Sequence, residues 1–202
     1  MRPSKCLKCS DFPCSDVNKE AYTIPDVDMD PEKIRAIMVS ESPPEDAGDY
    51  FYASNNPSYM QTTVQAFNDA GAKVASMKDV LERGVYVTTA IKCAKTAYSI
   101  QPETTENCCF RILEKEIDLF PRIKTALLMG DTAIRAMNYI AKKNTGKRLV
   151  PNGSTYKIRK NKYYYKQFRV FLSYLQTGKS YLIEKSKRKM IAEDIKAALE
   201  QL

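Results

Sequence analysis

Cysteines are the residues whose type and spacing most directly suggest chemistry. Cys6 and Cys9 have the Cys-x2-Cys spacing that brings two thiolates onto one tight turn, within reach of one metal centre. Cys93 ends an apolar run, and Cys108 and Cys109 follow 15 and 16 residues later. Because the chain contains no histidine, a zinc ion held by four thiolates and an iron–sulfur cluster are the metal centres to consider. The alternative is that the later cysteines are small, buried apolar residues.

The composition is that of a globular cytoplasmic protein. The 202 residues suit a single domain over residues 1–202, and no apolar run reaches the roughly 20 residues that a membrane helix needs. The first ten residues contain no apolar signal segment, so the cysteines are expected to bind metal or carry out redox chemistry in a reducing compartment. We therefore expect a monomer without membrane contact, in which residues 1–33 form a cysteine-rich segment that contributes metal ligands.

Positive charge is concentrated in one part of the chain. The net charge is +8, but residues 142–189 hold 15 lysines and arginines and the single acid Glu184, which gives this segment a net charge of +14. The same segment contains six of the 13 tyrosines. Basic side chains interleaved with aromatic ones are typical of surfaces that bind phosphates and stack on bases, whereas the alternative is a solvated, solubilising face. Nucleic acid is the partner that this pattern predicts.

Alternating strands and helices must position these groups. Short apolar runs predict strands, and longer stretches with helical periodicity lie between them. This alternation predicts an α/β fold with a mainly parallel sheet, in which ligands bind at the carboxyl ends of the strands. A β-hairpin is predicted after Asn152-Gly153, in the run of alternating tyrosine and lysine. The predicted strands are residues 34–40, 85–91, 123–129 and 168–174, and the predicted helices are residues 59–70, 77–83, 104–120, 131–143 and 180–202.

Two places in the basic segment are candidates for phosphate binding. Lys157 and Lys160 lie next to the tyrosines of the predicted hairpin. Lys179 and Ser180 stand where the last predicted helix begins, and backbone amides at a helix N-terminus bind anions. The segment Gln176–Ser180 is similar to the end of a P-loop, but too few residues follow it for the remaining sheet of a P-loop nucleotide hydrolase. We therefore expect these four residues to contact the nucleic-acid backbone.

Five short motifs, taken in order, carry a resemblance to a known family. They are SESPP at residues 40–44, YVTTAIKC at residues 86–93, Cys109 after 15 intervening residues, LMG at residues 128–130, and FLSYLQ at residues 171–176. With the N-terminal Cys-x2-Cys, they resemble the uracil-DNA glycosylase superfamily and, within it, the iron–sulfur branch called family 4. The resemblance implies a three-layer α/β/α fold around a four-stranded, mainly parallel sheet. It also implies a DNA glycosylase function and DNA as the nucleic acid that is bound.

The resemblance assigns roles to the cysteines. It implies that Cys6, Cys9, Cys93 and Cys109 ligate one 4Fe–4S cluster, with zinc as the alternative metal. Cys108 competes with Cys109 for the last position, and Cys14 is a spare cysteine. The implied role of such a cluster is structural, because it would join the N-terminal segment to the end of the second strand and to the helix after it.

The resemblance also assigns catalytic and base-binding roles. Glu41 occupies the acidic position of the motif after the first strand, where a carboxylate orients or deprotonates a water molecule that attacks the sugar C1′. Phe51 matches the aromatic residue that stacks on a flipped base. Alternatives remain for both, since Glu41 would also suit a helix cap or a surface charge and Phe51 an ordinary core position. The implied catalytic set is Glu41, Ser42, Glu45 and Asp46, and the implied base-binding pair is Phe51 and Thr89.

Two departures from the family pattern bear on specificity. Thr89 stands where the family has the asparagine that reads uracil, and a hydroxyl cannot copy the two-way contact of an amide. The family's late histidine falls near Leu175 or Gln176. We therefore expect weak or absent excision of ordinary uracil, and a glycosylase-like protein that acts on or recognises a modified or deaminated base in DNA. The alternative is an iron–sulfur protein that binds DNA or RNA with different chemistry or with none.

Overall fold

A five-stranded sheet forms the centre of the molecule. The computed structural model describes all 202 residues except the side chains of Lys179 and Ser180. The strands of the molecule are β1 (Val17–Asn18), β2 (Ala36–Ser40), β3 (Val85–Thr89), β4 (Ala94–Lys95), β5 (Thr125–Met129), β6 (Tyr163–Tyr165) and β7 (Phe168–Ser173). Four strands of the sheet are parallel, and the short β6 pairs antiparallel at one edge, in the order β3-β2-β5-β7-β6. A separate two-stranded ribbon joins β1 to β4.

Helices cover both faces of the sheet. β2, β3 and β5 are buried at every position, as expected for parallel strands covered on both sides. One face packs against α2 (Ser58–Asp69), α3 (Met77–Glu82), α8 (Lys179–Ile183) and α9 (Lys185–Leu199). The other packs against α5 (Glu114–Asp118) and α6 (Asp131–Thr145), and α4 (Pro102–Cys108) packs on α6. The predicted α/β fold with three layers is confirmed, and short helices α1 (Pro3–Cys6) and α7 (Thr155–Ile158) complete it.

The predicted hairpin exists, but it begins later than expected. Asn152-Gly153 precedes α7, and the two-residue turn that joins β6 to β7 is Lys166-Gln167. Lys166 has a φ of 50° there, which a two-residue hairpin turn requires. Because side chains alternate along a strand, Tyr163 and Tyr165 are buried and Tyr164 is exposed. Of the three tyrosines in β6, Tyr164 is therefore the one whose ring is exposed and could contact a ligand.

The predicted helix over residues 104–120 contains a wider π-helical turn. This turn, Cys109–Leu113, lies between α4 and α5, and such turns often occur at functional sites. Cys108 lies at the end of α4 and Cys109 opens the wider turn. Cys109 packs into the hydrophobic core, while Cys108 packs against the cluster around Val17.

A buried ion pair supports the carboxyl end of β3. Lys92 and Glu116 are both fully buried, with 2.5 Å between Lys92 Nζ and Glu116 Oε2. Lys92 also donates hydrogen bonds to the Thr88 hydroxyl and the Thr89 carbonyl. Glu116 accepts hydrogen bonds from the hydroxyls of Tyr86 and Thr88. Every polar end of the pair therefore has a partner, which buried charges require.

No helix in the part of the chain that the structure describes is both long and apolar enough to cross a membrane.

Candidate active site at the carboxyl edge of the sheet

A cleft opens where the parallel strands end. Glu41 follows β2, Gly130 follows β5 and Tyr174 follows β7, and all three line the cleft. Its volume is about 630 Å³, which is in the range of pockets that bind small molecules or nucleosides. Gly130 has a φ of 90°, and the turn from β5 into α6 needs this left-handed conformation, which glycine adopts without strain. The cleft lies at the edge where an open α/β sheet binds its ligands.

Glu41 is the carboxylate that the fold presents to this cleft after β2. Its Oε2 atom lies 2.7 Å from Lys95 Nζ, and its Oε1 atom accepts a hydrogen bond of 3.0 Å from the Thr132 hydroxyl. β4 supplies Lys95 and the first turn of α6 supplies Thr132. These two partners fix the position of the carboxylate. Each carboxylate oxygen can accept more than one hydrogen bond, so Glu41 can still bind a water molecule.

The other residues of the predicted catalytic set do not line the cleft. Ser42 is buried, with 3% exposure. Glu45 is exposed, and Asp46 caps the short 3-10 turn at residues 47–49 by accepting a hydrogen bond from the Gly48 amide. The capping alternative, which the sequence left open for Glu41, therefore applies to Asp46. Among the predicted acids, Glu41 is the one that the described structure brings to the cleft.

The predicted base-binding pair is covered. Phe51 is 1% exposed and packs against the Tyr59 ring, with 5.3 Å between the ring centroids. Thr89 is fully buried and pairs in register with Ser40, the residue before Glu41. Thr89 therefore lies across the sheet from the residue before Glu41, whereas Phe51 packs in the core. The expected open pocket of Glu41, Ser42, Phe51 and Thr89 is closed. Aromatic packing around Phe51 is the physical reason.

Two buried hydroxyls next to this closed pocket lack partners. Tyr50 Oη and Thr89 Oγ1 make no hydrogen bond with any group that the structure describes. Burial raises the pKa of Tyr50 well above its usual value, so its hydroxyl stays neutral and can donate. Buried polar atoms are almost always paired in folded proteins. The hydroxyls of Thr88 and Thr89 lie close to that of Tyr50 and partly offset the effect of burial on its pKa, so the two unpaired hydroxyls neighbour each other inside the closed pocket.

Comparison with protein families decides the relationship of this chain to known proteins. The family model described as the uracil DNA glycosylase superfamily matches residues 28–197, which includes the whole sheet and the cleft. The chain belongs to the uracil DNA glycosylase superfamily. The search of curated proteins found no significant match.

Membership in this superfamily confirms part of the predicted relationship. The superfamily suggests a DNA glycosylase-like function, and the α/β architecture agrees with it. The position of the family's late histidine falls on Leu175, which is partly buried, or on the buried Gln176. Gln176 is fully buried and accepts a hydrogen bond of 2.9 Å from the Ser40 hydroxyl, while Leu175 lines the cleft. Neither side chain carries a titratable group that could replace the histidine.

Several cleft residues were not identified from the sequence. Lys95 and Thr132 hold Glu41, and Arg135 lies one helical turn after Asp131 on α6. Their signal in the sequence is weak, because single charged or hydroxyl residues beside strand ends are common. Tyr98 and Lys187 also line the cleft, and only the tertiary fold brings them to it.

A second, smaller pocket contains four cysteines. Cys9, Cys14, Cys93 and Cys108 all line it. Two of them, Cys9 and Cys93, belong to the predicted ligand set. Burial raises the pKa of Cys93 to about 11 and that of Cys108 to about 12, and it also raises the pKa of Cys14. These three thiols are therefore protonated near pH 7 when no metal is bound.

The other two predicted ligands lie elsewhere. Cys6 is exposed at the end of α1 and does not line this pocket. Cys109 is fully buried, packs in the core and donates from its thiol to the Glu106 carbonyl at 3.2 Å. Among the described residues, no three cysteines, aspartates or glutamates already stand in a metal-ligating arrangement. A metal would therefore have to draw the sulfur atoms of the pocket closer together.

The basic segment does not form one continuous face. α6 starts at the cleft and its 15 residues carry the chain about 22 Å away, so the lysines at its end lie far from Glu41. The hairpin turn at Lys166 lies at the amino end of β7, where Lys166 pairs with Asp118. Arg159 is buried in ion pairs with Asp194 and Glu193. Part of the positive charge in this segment therefore holds the fold together.

The predicted phosphate contacts are distributed unevenly. Lys157 is exposed in α7, which starts beside the cleft. Lys160 is exposed but pairs with Glu193 at 3.1 Å. The side chains of Lys179 and Ser180 lie outside the described part of the structure. Lys187, on α9, is a further cation at the cleft, and like Lys160 it is paired with an acid, Glu184, at 2.7 Å.

Proposed function

We propose that this protein is a DNA glycosylase that hydrolyses the N-glycosidic bond of a damaged or deaminated nucleotide in the cleft at the carboxyl edge. The observation that carries the proposal is Glu41, a carboxylate fixed by Lys95 and Thr132 at the end of β2, in a cleft large enough for a nucleoside. Superfamily membership supports the same reaction. The residues around Glu41 provide orientation and charge, which are the main requirements of this hydrolysis.

The proposed reaction is a hydrolysis with water as the nucleophile. The oxygen of water forms a bond to C1′ while the bond between C1′ and the base nitrogen breaks, and the electron pair leaves with the base. Glu41 orients the water and accepts its proton, and its negative charge also stabilises positive charge that develops on the sugar. The leaving base takes a proton from solvent. Lys95 keeps the carboxylate aligned during these steps.

We propose that the base binds near Thr89 and Phe51. Supporting this, the unpaired hydroxyls of Tyr50 and Thr89 can pair with polar atoms of a base edge. Phe51 lies next to Tyr50, with 5.0 Å between the ring centroids. Entry of a base requires these aromatic rings to move apart, since Phe51 is covered. A hydroxyl can both donate and accept, so this site is expected to accept bases other than uracil.

We also propose a metal centre held by Cys9, Cys14, Cys93 and Cys108, which replaces the set of Cys6, Cys9, Cys93 and Cys109. The four thiols line one pocket, and thiolates are the ligands that select zinc or iron–sulfur clusters. The resemblance to the iron–sulfur branch favours a 4Fe–4S cluster over zinc. When bound, the metal centre would supply structural cross-linking. Cys9 and Cys14 would then hold the N-terminal segment against Cys93 and Cys108, next to the end of β3.

Cysteine substitutions distinguish the two ligand sets. Cys14→Ser and Cys108→Ser are expected to lose most of the bound metal, whereas Cys6→Ser and Cys109→Ala are expected to keep it. Metal content of anaerobically purified protein gives the measurement, and visible absorption separates a cluster from zinc. Full metal content in Cys14→Ser together with loss in Cys109→Ala would contradict the proposed set and favour the predicted one.

The proposed activity is tested with a panel of oligonucleotides. Single-stranded and duplex substrates carrying uracil, hypoxanthine or other altered bases are incubated with the protein, and abasic sites are detected by strand cleavage in alkali. We expect release of at least one altered base and weak or absent release of uracil. Efficient uracil release would show that neither Thr89 nor the missing histidine prevents excision of uracil. Binding without any base release would instead favour a nucleic-acid-binding protein without this activity.

A further inference from the structure

The most exposed aromatic ring of the described structure stands at the rim of the cleft. Tyr98 is 97% exposed and lines the cleft that contains Glu41. A fully solvated aromatic ring contributes nothing to folding through burial. Its position next to a cleft therefore points to a binding role rather than to a role in stability.

The loop that carries Tyr98 is held on both sides. Lys95 Nζ donates a hydrogen bond of 3.2 Å to the Tyr98 carbonyl, and it also forms an ion pair with Glu41. Arg135 donates to the Ile100 carbonyl at 3.1 Å. The exposed ring is therefore attached to a backbone that is fixed relative to Glu41.

The N-terminal segment adds a third set of contacts to this loop. The Asp16 carbonyl accepts from the Thr96 hydroxyl at 3.0 Å, and the Asp16 carboxylate accepts from the Gln101 amide at 2.7 Å. Val17 pairs with Lys95 in the β1–β4 ribbon. The loop is thus fixed by the chain that also carries Cys14, and the ring of Tyr98 projects into solvent from it.

Basic and aromatic groups face Tyr98 across the cleft. Tyr174 follows β7 and lines the same cleft, and Lys187 Nζ lies 5.6 Å from the centre of its ring. Lys95 Nζ lies 5.9 Å from the centre of the Tyr98 ring. Both lysines are paired with acids of the same cleft, Lys95 with Glu41 and Lys187 with Glu184. The two tyrosine rings are therefore the main surface for a base, and a phosphate would compete with Glu184 for Lys187.

We propose that Tyr98, with Tyr174 and Lys187, binds an unpaired nucleotide of single-stranded DNA that neighbours the nucleotide in the cleft. The partner is single-stranded because an exposed ring stacks on the face of a base, and in a duplex these faces are already stacked. The ion pair of Lys187 with Glu184 is partly exposed, so Lys187 can exchange this carboxylate for the adjoining phosphate. This inference rests on the proposed function, since it assigns the strand that enters the same cleft.

Binding of lesion-free oligonucleotides tests this surface without requiring catalysis. Fluorescence anisotropy measures the affinity of wild-type protein, Tyr98→Ala and Tyr98→Phe for a labelled single strand and for the matching duplex. Tyr98→Ala is expected to weaken single-strand binding by about 5- to 100-fold, the loss of one base–aromatic stack. Tyr98→Phe keeps the ring and is expected to bind like the wild type.

The matched control is Tyr164→Ala, because Tyr164 is also exposed but lies on the outer strand β6. Equal effects of Tyr98→Ala and Tyr164→Ala would overturn the proposal, as would an equal loss of duplex binding or a stronger preference for RNA. Failure of the glycosylase proposal has a different signature, since Tyr98-dependent binding would then persist without base release. Conversely, base release from single strands with unchanged binding by Tyr98→Ala would refute only the Tyr98 surface.

Discussion

Replacing Glu41 with glutamine is expected to reduce the rate of base release by about 100- to 10,000-fold, the usual contribution of a positioned general base. Glutamine keeps the size of the side chain and can still accept a hydrogen bond from Thr132. It cannot accept a proton from water, and it carries no charge to stabilise the sugar. The rate is measured under single-turnover conditions on the altered base that the wild-type protein releases best.

The control for this substitution is Glu45→Gln. Glu45 is an exposed acid four residues away that does not line the cleft. Its replacement is expected to leave the rate within about two-fold of the wild type, since it touches no reacting group. If both substitutions leave base release unchanged, Glu41 is not the residue that acts on water, and the carboxyl-edge cleft loses its assigned role.

Replacing Lys92 with alanine is expected to destabilise the fold by about 3–5 kcal/mol, because it leaves the buried Glu116 charge without its partner. The pair is fully buried and Lys92 also binds the end of β3. Urea unfolding followed by circular dichroism gives the free energy of unfolding. The double substitution Lys92→Met with Glu116→Gln removes both charges, so it is expected to recover part of the lost stability.

An exposed ion pair provides the comparison. Lys78 and Glu82 lie 3.9 Å apart on α3 with most of their side chains in solvent. Lys78→Ala is expected to change the free energy of unfolding by at most about 1 kcal/mol. Equal stability of the Lys92→Ala and Lys78→Ala variants would show that the charges of the buried pair do not support the end of β3.

The sheet was predictable because its parallel strands are continuous apolar runs. β2 and β5 lie within the strands predicted at residues 34–40 and 123–129, and apolar periodicity also indicated most of the helices. The exact place of the hairpin was not predictable, because Asn152-Gly153 is a stronger turn signal than Lys166-Gln167. The spacing of apolar residues around Cys109–Leu113 does not predict the π-helical turn there.

The sequence predicted a site residue only where that residue directly follows a strand that ends at the cleft. Glu41 was identified because it occupies the acidic position of the family motif, which directly follows a strand that ends at the binding edge of the sheet. Lys95 and Thr132, which fix Glu41, come from distant parts of the chain and are single polar residues without a motif. The same reason explains why Tyr98 was missed.

Spacing alone could not choose among the cysteines. The Cys-x2-Cys pair favoured Cys6, whereas the fold places Cys14 in the pocket with Cys9. Neighbouring residues in a helix point in different directions, so Cys108 faces the pocket while Cys109 enters the core. The charge of the basic segment was similarly ambiguous, because net charge does not show which cations are already paired. Arg159 and Lys160 are examples of cations paired with acids of α9.

The most direct test of the central claim is to measure free base and abasic sites in the same reaction. Wild-type protein and the Glu41→Gln variant are incubated with oligonucleotides that carry altered bases, and the free base is quantified by mass spectrometry. We predict equal amounts of free base and abasic sites from the wild type and almost none from Glu41→Gln. Binding of these oligonucleotides by the wild-type protein with no free base from any of them would contradict the assignment of this cleft as a glycosylase active site.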